Sequence, residues 1–508
     1  MNVEILTLAK EKKMLLGKDI LNFLENFEPS KVKEFLESLS NSNSKVITTS
    51  NIKDNLSPLK ILLNNLTEKQ KISLEPFLNK LGLKLTQLEK NKIEKKKEGF
   101  SIHYSPTIIS EELKVKDFVN HFRSRYHQLQ KILIHKNNFP NLVSIDKLSR
   151  NRQNITLIGI VTEKRLTKNE NLMLKIEDLT GEINVIIRKD SDCFKDSSEI
   201  LLDDVISLRG SGNNEFVFAF EINFPDSLKE QKVSFDQDIC VAFLSDIHVG
   251  SNKHLGEEFS KFLEWINNDK ELAPKIKYLF FIGDNVDGVG VFPGQEKLLK
   301  LKSLKEQYDL LAKYLLKIPK EITMFMCPGQ HDSSRVAEPQ PIIDNYYGEE
   351  LHKISNLILV PNPSMIKLSE GEKEFKILMY HGASIHNFIN EIEELRIMKA
   401  HKCPAKAVKY MLKKRNLAPT HSLVSYIPNK NKDPLVISET PDVLCTGEVH
   451  RLDIERYKGT LILTGSCWQS QTDFEEKVGN IPDPCKVPVL NLKSGELKIL
   501  DFSENEDK

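Results

Sequence analysis

Hydrophobic positions follow three different rhythms along the chain. Up to residue 88 they recur at helical spacing: Ile20, Leu21, Phe23, Leu24 and Phe27 make one apolar stripe, and Val32, Phe35, Leu36 and Leu39 make another. Pro29-Ser30 separates the two, with Ser30 placed to cap the second helix. Residues 59–88 are Leu-rich with the same period. The pattern predicts a helical N-terminal domain over residues 1–88 with nothing catalytic in it. Residues 89–98 (EKNKIEKKKE) have almost nothing to bury and read as an exposed basic linker. A further helix is predicted over 118–134, where Arg123, Arg125, His127 and Lys131 read as a solvated face. Linker and helix together occupy 89–150.

Between residues 151 and 230 the rhythm shortens. ITLIGIVTEKR, LMLKIEDLTGEINVIIRK, VISLRG and FVFAFEI are β-rich runs split by turn residues such as Asn169, Gly181 and Gly210. About five short strands in ~70 residues predict a Greek-key barrel of the OB type. Over 236–502 short buried strands alternate with helical segments at 259–267 and 298–316. The strands are ICVAFL, YLFFIG, ITMFMCPG, FKILMY, VLCTG and TLILTG. This predicts a layered α/β domain.

Composition narrows the class. The 508 residues are 40% hydrophobic and 28% charged, a soluble globular balance with no run of 18 apolar residues that could span a membrane. Lys+Arg and Asp+Glu both total 72, so any nucleic-acid surface must be local. The N-terminal residues lack the apolar core of a secretory signal. Seven cysteines, with no C-x-x-C pair, argue against a disulfide framework and for a reducing cytoplasm.

The chemistry sits at the strand ends. Ser245-Asp246-Ile247-His248, Gly283-Asp284-Asn285-Val286-Asp287, Gly329-Gln330-His331-Asp332, His381-Gly382 and Gly447-Glu448-Val449-His450 each follow a predicted buried strand. Carboxyl ends of strands in an α/β sheet form one rim, so these clusters should converge. In Asp-x-His, residues i and i+2 point to the same side of an extended segment, so Asp246 and His248 can share one ion. A carboxylate such as Asp284 can bridge two. Imidazole and carboxylate donors suit Mn, Fe or Zn better than Ca. Two such ions ~3.5–4 Å apart can activate water and clamp phosphate oxygens.

SDIHVGS, GDNVDG, PGQHD, YHG and GEVHR resemble, in order, the signature blocks of the calcineurin-like metallophosphoesterases. With the barrel before them and the phrases CPGQHDSSRVAEPQP and MLKKRNLAPTHS, the chain is similar to the small-subunit family of archaeal D-type DNA polymerases over about residues 150–502. The resemblance implies roles. Asp246, His248, Asp284 and His450 correspond to a first metal site. Asp284, Gln330, His381 and Glu448 correspond to a second. His331 is placed to protonate the leaving oxygen or stabilise the transition state, with Asp287 orienting it. The implied reaction is metal-dependent 3′→5′ hydrolysis of single-stranded or mispaired DNA ends, and the implied partner is a large polymerising subunit.

Two positions depart from the superfamily: Gln330 stands where Asn is usual and Glu448 where His is usual. Both keep a ligand atom. An oxygen-richer second site favours Mn or Mg over Zn, so two divalent ions are expected, Mn first, with Mg, Fe and Zn as alternatives. The second block of protein phosphatases continues Asp-Arg-Gly with a phosphate-holding Arg, whereas here Gly288 and Val289 follow Asp287. This weakens a free-standing phosphatase reading. A degenerate scaffold is the other alternative. Residues 396–415 carry eight Lys/Arg and no acidic residue, so Lys413, Lys414 and Arg415 are candidate DNA-backbone contacts, with a solvated face or subunit contact as the competing reading.

Overall fold

The computed structural model describes residues 9–10, 14–24, 27, 32–33, 35–36, 46–47, 99–104, 112–148, 152–227, 232–421, 424–429 and 432–503. The predicted helical run over 59–88 and the basic linker over 89–98 lie outside them. The chain divides into two units, Met1–Lys96 and Lys97–Lys508. In the first, a helix spans Lys18–Leu24, and Leu15–Leu16 pairs in parallel with Val46–Ile47. Ile20, Phe23, Leu24 and Phe27 of the first predicted stripe are buried, as are Val32, Phe35 and Leu36 of the second.

The second unit opens with strand β1 (Phe100–Tyr104) and helix α1 (Val115–Lys136). A closed five-stranded barrel follows, built from β2 (Arg152–Leu166), β3 (Leu172–Glu177), β4 (Glu182–Ile187), β5 (Val205–Gly212) and β6 (Phe216–Asn223). Its order is β2-β3-β4-β6-β5, with β5 closing onto β2 and β4·β6 as the one parallel pair. The alternating residues of β3, β4 and β6 supply the inward face, including Leu174, Val185 and Val217. Asp178 accepts bonds from the Thr180 and Gly181 amides, which fixes the turn between β3 and β4.

The remaining strands form two facing six-stranded sheets. The first runs β10-β9-β8-β7-β16-β17. It contains β7 (Cys240–Leu244), β8 (Ile276–Ile282), β9 (Thr323–Cys327), β10 (Leu357–Leu359), β16 (Lys486–Asn491) and β17 (Leu497–Asp501). The second runs β14-β15-β13-β12-β11-β1. Besides β1 it contains β11 (Ser364–Glu370), β12 (Lys373–Met379), β13 (Val443–Thr446), β14 (Asp453–Tyr457) and β15 (Thr460–Thr464). Phe243, Phe280 and Phe325 on one sheet meet Ile377, Met379, Cys445 and Leu463 on the other. Helices α2 (Gly256–Asn268) and α3 (Leu304–Leu315) cover the outer face of the first sheet. Helices α4 (Ile385–Glu391) and α5 (Ala405–Lys414) cover the second. Strands β7, β13 and β15 are buried on both faces, which is why they read as unbroken apolar runs.

Three features differ from the sequence reading. The strand-end clusters come from two sheets, not from one rim. The second sheet takes its edge strand from 100–104, inside the stretch read as linker and helix and far before residue 236. On α1, Arg123, His127 and Lys131 are exposed, but Arg125 is fully buried, with its Nε 2.5 Å from Asp433 Oδ2. A charge in an apolar contact is tolerated only with such a partner. Trp468, Phe262 and Cys240, Cys327 and Cys445 are core residues, and all seven cysteines are free thiols. Among the described residues, no helix is long and apolar enough to cross a membrane.

Candidate metal centre

The loops after β7, β8, β9, β12 and β13 bend sharply over the sandwich. Asp246, His248, Asp284, Glu448 and His450 all have positive φ (46–73°), a conformation that costs a non-glycine residue on the order of 1–3 kcal/mol. Such strain persists where the surroundings fix the chain for another purpose. Glycines permit the close approach. A Cβ at Gly329 would overlap Asp284 Oδ1 and lie 2.7 Å from His381 Nε2, and one at Gly447 would lie 2.5 Å from Asp246 Oδ2.

These turns bring seven candidate ligands together. Asp246, His248 and His450 form one buried group, and Asp246, Asp284 and His381 another. His450 Nε2 lies 3.5 Å from Asp246 Oδ1. His381 Nε2 is 3.3 Å from both Asp284 Oδ2 and Glu448 Oε2. Gln330 joins through its amide nitrogen, which donates to Glu448 Oε2 at 2.7 Å. The two residues that depart from the superfamily pattern therefore bond to each other. Burial alone would raise the Asp284 and Glu448 carboxyls, but the facing imidazoles outweigh it. Asp284 is held well below the usual carboxylate range and Glu448 at about 2.

The donor set fits divalent cations. His248 Nδ1 lies 3.0 Å from Asp287 Oδ1, and His450 Nδ1 lies 3.0 Å from Glu475 Oε1. With each carboxylate accepting from an Nδ1–H, the two Nε2 atoms are left as the ligand atoms, facing one another across 3.1 Å. That contact is repulsive unless a positive charge sits between them. Buried Asp246 Oδ2, His381 Nε2 and Gln330 Oε1 have no hydrogen-bond partner. His381 Nε2 is near two carboxylates without the alignment of a hydrogen bond to either. Three inward donors left unpaired in one small volume are the pattern of ligands aimed at shared ions.

His331 lies at the edge of this group, 23% exposed in its side chain, with Nε2 3.9 Å from Asp284 Oδ2. Its Nδ1 bonds to the backbone carbonyl of Asp287 at 2.7 Å. Burial opposes the charged imidazole, but the Asp284 carboxylate and the Asp287 carbonyl raise its pKa. Asp287 touches both histidines. The carboxylate turns to His248, and only the main chain of Asp287 holds His331. Sequence reasoning missed Glu475, Gln469 and Gln295. Glu475 fixes His450 from the capping box of helix α6 (Asp473–Val478). Gln469 donates to Asp287 Oδ1 at 3.1 Å, and Gln295 to the Asp287 carbonyl at 2.7 Å. Glu475 and Gln295 lie ten or more residues beyond the nearest predicted strand, and Gln469, four residues after TLILTG, stands beside no His or carboxylate that would have marked it. Asp332, within the PGQHD block, accepts from the Gly329 and Asn285 amides and holds that turn in shape.

The DNA-contact reading of Lys413, Lys414 and Arg415 does not survive. Lys414 is 2% exposed and pairs with buried Asp204 of the barrel, while Lys413 pairs with Glu199. Arg415 is 4% exposed and donates to the Ile437 carbonyl at 2.7 Å and to Thr440. The end of α5 is a basic seam against the barrel, so its charges meet protein rather than solvent.

The profile of the family of B subunits of DNA polymerases alpha and epsilon matches residues 241–452, a span that begins in β7 and encloses every candidate ligand. Over that span the chain is similar to the B-type accessory subunits of DNA polymerases. The DNA polymerase II small subunit of Methanothermobacter thermautotrophicus is 36% identical over 396 residues, 77% of this chain and 80% of that one. The namesake of Pyrococcus furiosus is 35% identical over 404 residues, 77% of this chain and 64% of that one. That of Methanocaldococcus jannaschii is 35% identical over 395 residues, 75% and 65% respectively. The chain belongs to the family of archaeal DNA polymerase II (family D) small subunits. Its aligned part spans 64% of the length of the Pyrococcus relative. A solved archaeal phosphodiesterase aligns with 52% of the chain at 14% identity and a TM-score of 0.25, too low to bear on the fold.

Proposed function

We propose that the chain is the nuclease-bearing small subunit of a two-subunit replicative DNA polymerase. It removes nucleotides 3′→5′ from single-stranded or mispaired ends while a large subunit synthesises DNA. We read 236–502 as a calcineurin-like metallophosphoesterase domain and 151–230 as an OB-type barrel. The barrel's strand order with a parallel third–fifth pair supports the second assignment.

The carrying observation is the convergence of Asp246, His248, Asp284, Gln330, His381, Glu448 and His450 with unpaired inward donors. These residues would hold two divalent ions, and the three carboxylates and one amide favour Mn among the alternatives. When bound, the ions would supply positive charge at the phosphate oxygens and acidify a water molecule. The protein's own contribution is positional. Asp287 and Glu475 fix the tautomers of His248 and His450. Gln330 steadies Glu448. His331, with Nδ1 committed to a carbonyl, presents Nε2 to hand a proton to the departing 3′ oxygen.

The test is hydrolysis of DNA with a mispaired 3′ end in the presence of Mn, by the chain alone and with its large subunit. His331→Ala should lose about 10²–10⁴-fold in rate with metal content preserved. A wild-type protein inert on such ends in both preparations would leave a scaffold role instead.

A further inference from the structure

A cleft of about 820 Å³ runs away from the metal centre, and Gln330 and His331 form its inner end. Its walls are the loop after Asp287 and the segment 333–347. Val289, Val291, Ile342 and Tyr347 line it, each between 38% and 46% exposed. Nearby Phe292 places its ring 6.5 Å from that of His331. Gly288, at φ 76°, lets the first wall pass close to the His331 carbonyl. Apolar side chains gathered at the mouth of a charged centre call for a ligand with an apolar face.

We infer that this cleft is the subsite for one unpaired nucleoside of the DNA strand, on the leaving-oxygen side of the scissile linkage. The inference rests on the nuclease reading above and extends it. His331 borders both the ions' ligands and the cleft, so the sugar whose oxygen it protonates must enter there. In 3′→5′ hydrolysis that sugar belongs to the penultimate nucleotide. The wall suits a base rather than a phosphate. Arg335 is committed to the Ala337 and Pro339 carbonyls, and Asp344 adds a negative charge. The volume suits one or two nucleosides, within the usual ~300–1,000 Å³ of small-ligand sites, but not a duplex end. A base must leave its complement to enter, which costs a few kcal/mol and least at a mismatch. Preference for ends whose last two bases are both unpaired then follows from the shape of the cleft.

The probe is a single-stranded oligonucleotide with 2-aminopurine at the penultimate position and a phosphorothioate at the last linkage, added with Mn to the complex with the large subunit. Stacking in the cleft should quench its fluorescence, and Tyr347→Ala and Ile342→Ala should relieve the quenching. With an ordinary oligonucleotide, kcat/KM should fall about 5–150-fold through KM, at least tenfold more than for bis(p-nitrophenyl) phosphate, which carries no nucleoside. Unaltered quenching in both variants, or equal losses on the two substrates, would overturn the subsite. So would loss of the large subunit from the variants, which would make the cleft a protein-docking surface. Quenching by the wild type without cleavage of any strand would sink the nuclease reading and keep the subsite. Cleavage with unaltered quenching would do the reverse.

Discussion

At the scale of single residues, the 2.7 Å bond between Gln330 and Glu448 gives the two unusual positions a joint explanation. Gln reaches one methylene further than Asn, and it uses that reach to hold a carboxylate that has taken the place of an imidazole. Gln330→Asn alone should strand Glu448, and Glu448→His alone should strand the amide. The double substitution installs the Asn and His of the blocks that the sequence resembles. Titration of Mn into the four proteins should therefore show a coupling on the order of 0.5–3 kcal/mol, with the double variant binding more tightly than the singles add up to. Strictly additive losses would mean the bond does not serve the metal. Glu475 is the second test at this scale: Glu475→Ala should weaken Mn affinity about 10–100-fold by freeing His450 to turn. The seven candidate ligands were legible in the sequence because each stands within a few residues of a buried strand. Glu475 was not, because it lies on a short helix whose only local mark is the Thr472–Glu475 capping box.

At the scale of elements, the strands of the sandwich declared themselves through double-sided burial, and the barrel strands through alternation. Helix α5 did not. Its eight-cation neighbourhood has the look of a surface, because sequence records charge but not what faces it. The facing residues, Glu199 and Asp204, lie over 200 positions earlier in the barrel. Burial pushes the Asp204 carboxyl up and the Lys414 ammonium down, and their contact only partly offsets this. The pair therefore fixes the seam between helix and barrel more than it adds stability. Lys414→Ala would leave Asp204 buried and alone, at a cost of about 3–5 kcal/mol read as a lowered thermal midpoint. Lys414→Met with Asp204→Leu should recover most of that loss. The salt dependence of DNA binding should stay as in the wild type for both, which a backbone-contact role for Lys414 would not allow.

At the scale of the whole molecule, the candidate metal centre draws its residues from both sheets. Asp246, Asp284 and Gln330 follow strands of one sheet, and His381, Glu448 and His450 follow strands of the other. Chelation should leave opposed lone pairs and buried carboxylates facing each other across the junction. Thermal unfolding with EDTA should begin at a lower temperature than with Mn. Mn at 100 times its dissociation constant should add about 2.7 kcal/mol for each site that binds only the folded chain. A midpoint indifferent to Mn would argue that the ligands do not bind it. The change of hydrophobic period falls where the strands of the barrel give way to those of the sandwich. The placement of β1 was not, since five residues with one partner strand carry no periodic signature of their own. That strand has a further consequence during synthesis. Phe100–Tyr104 leaves the ribosome about 260 residues before Met365–Leu368, its hydrogen-bonding partners. At about 5–20 residues per second it waits roughly 13–50 s as an open edge, while the intervening barrel can already close. The nascent chain is therefore most prone to mispairing in that interval, and a chaperone that shields extended segments would act there.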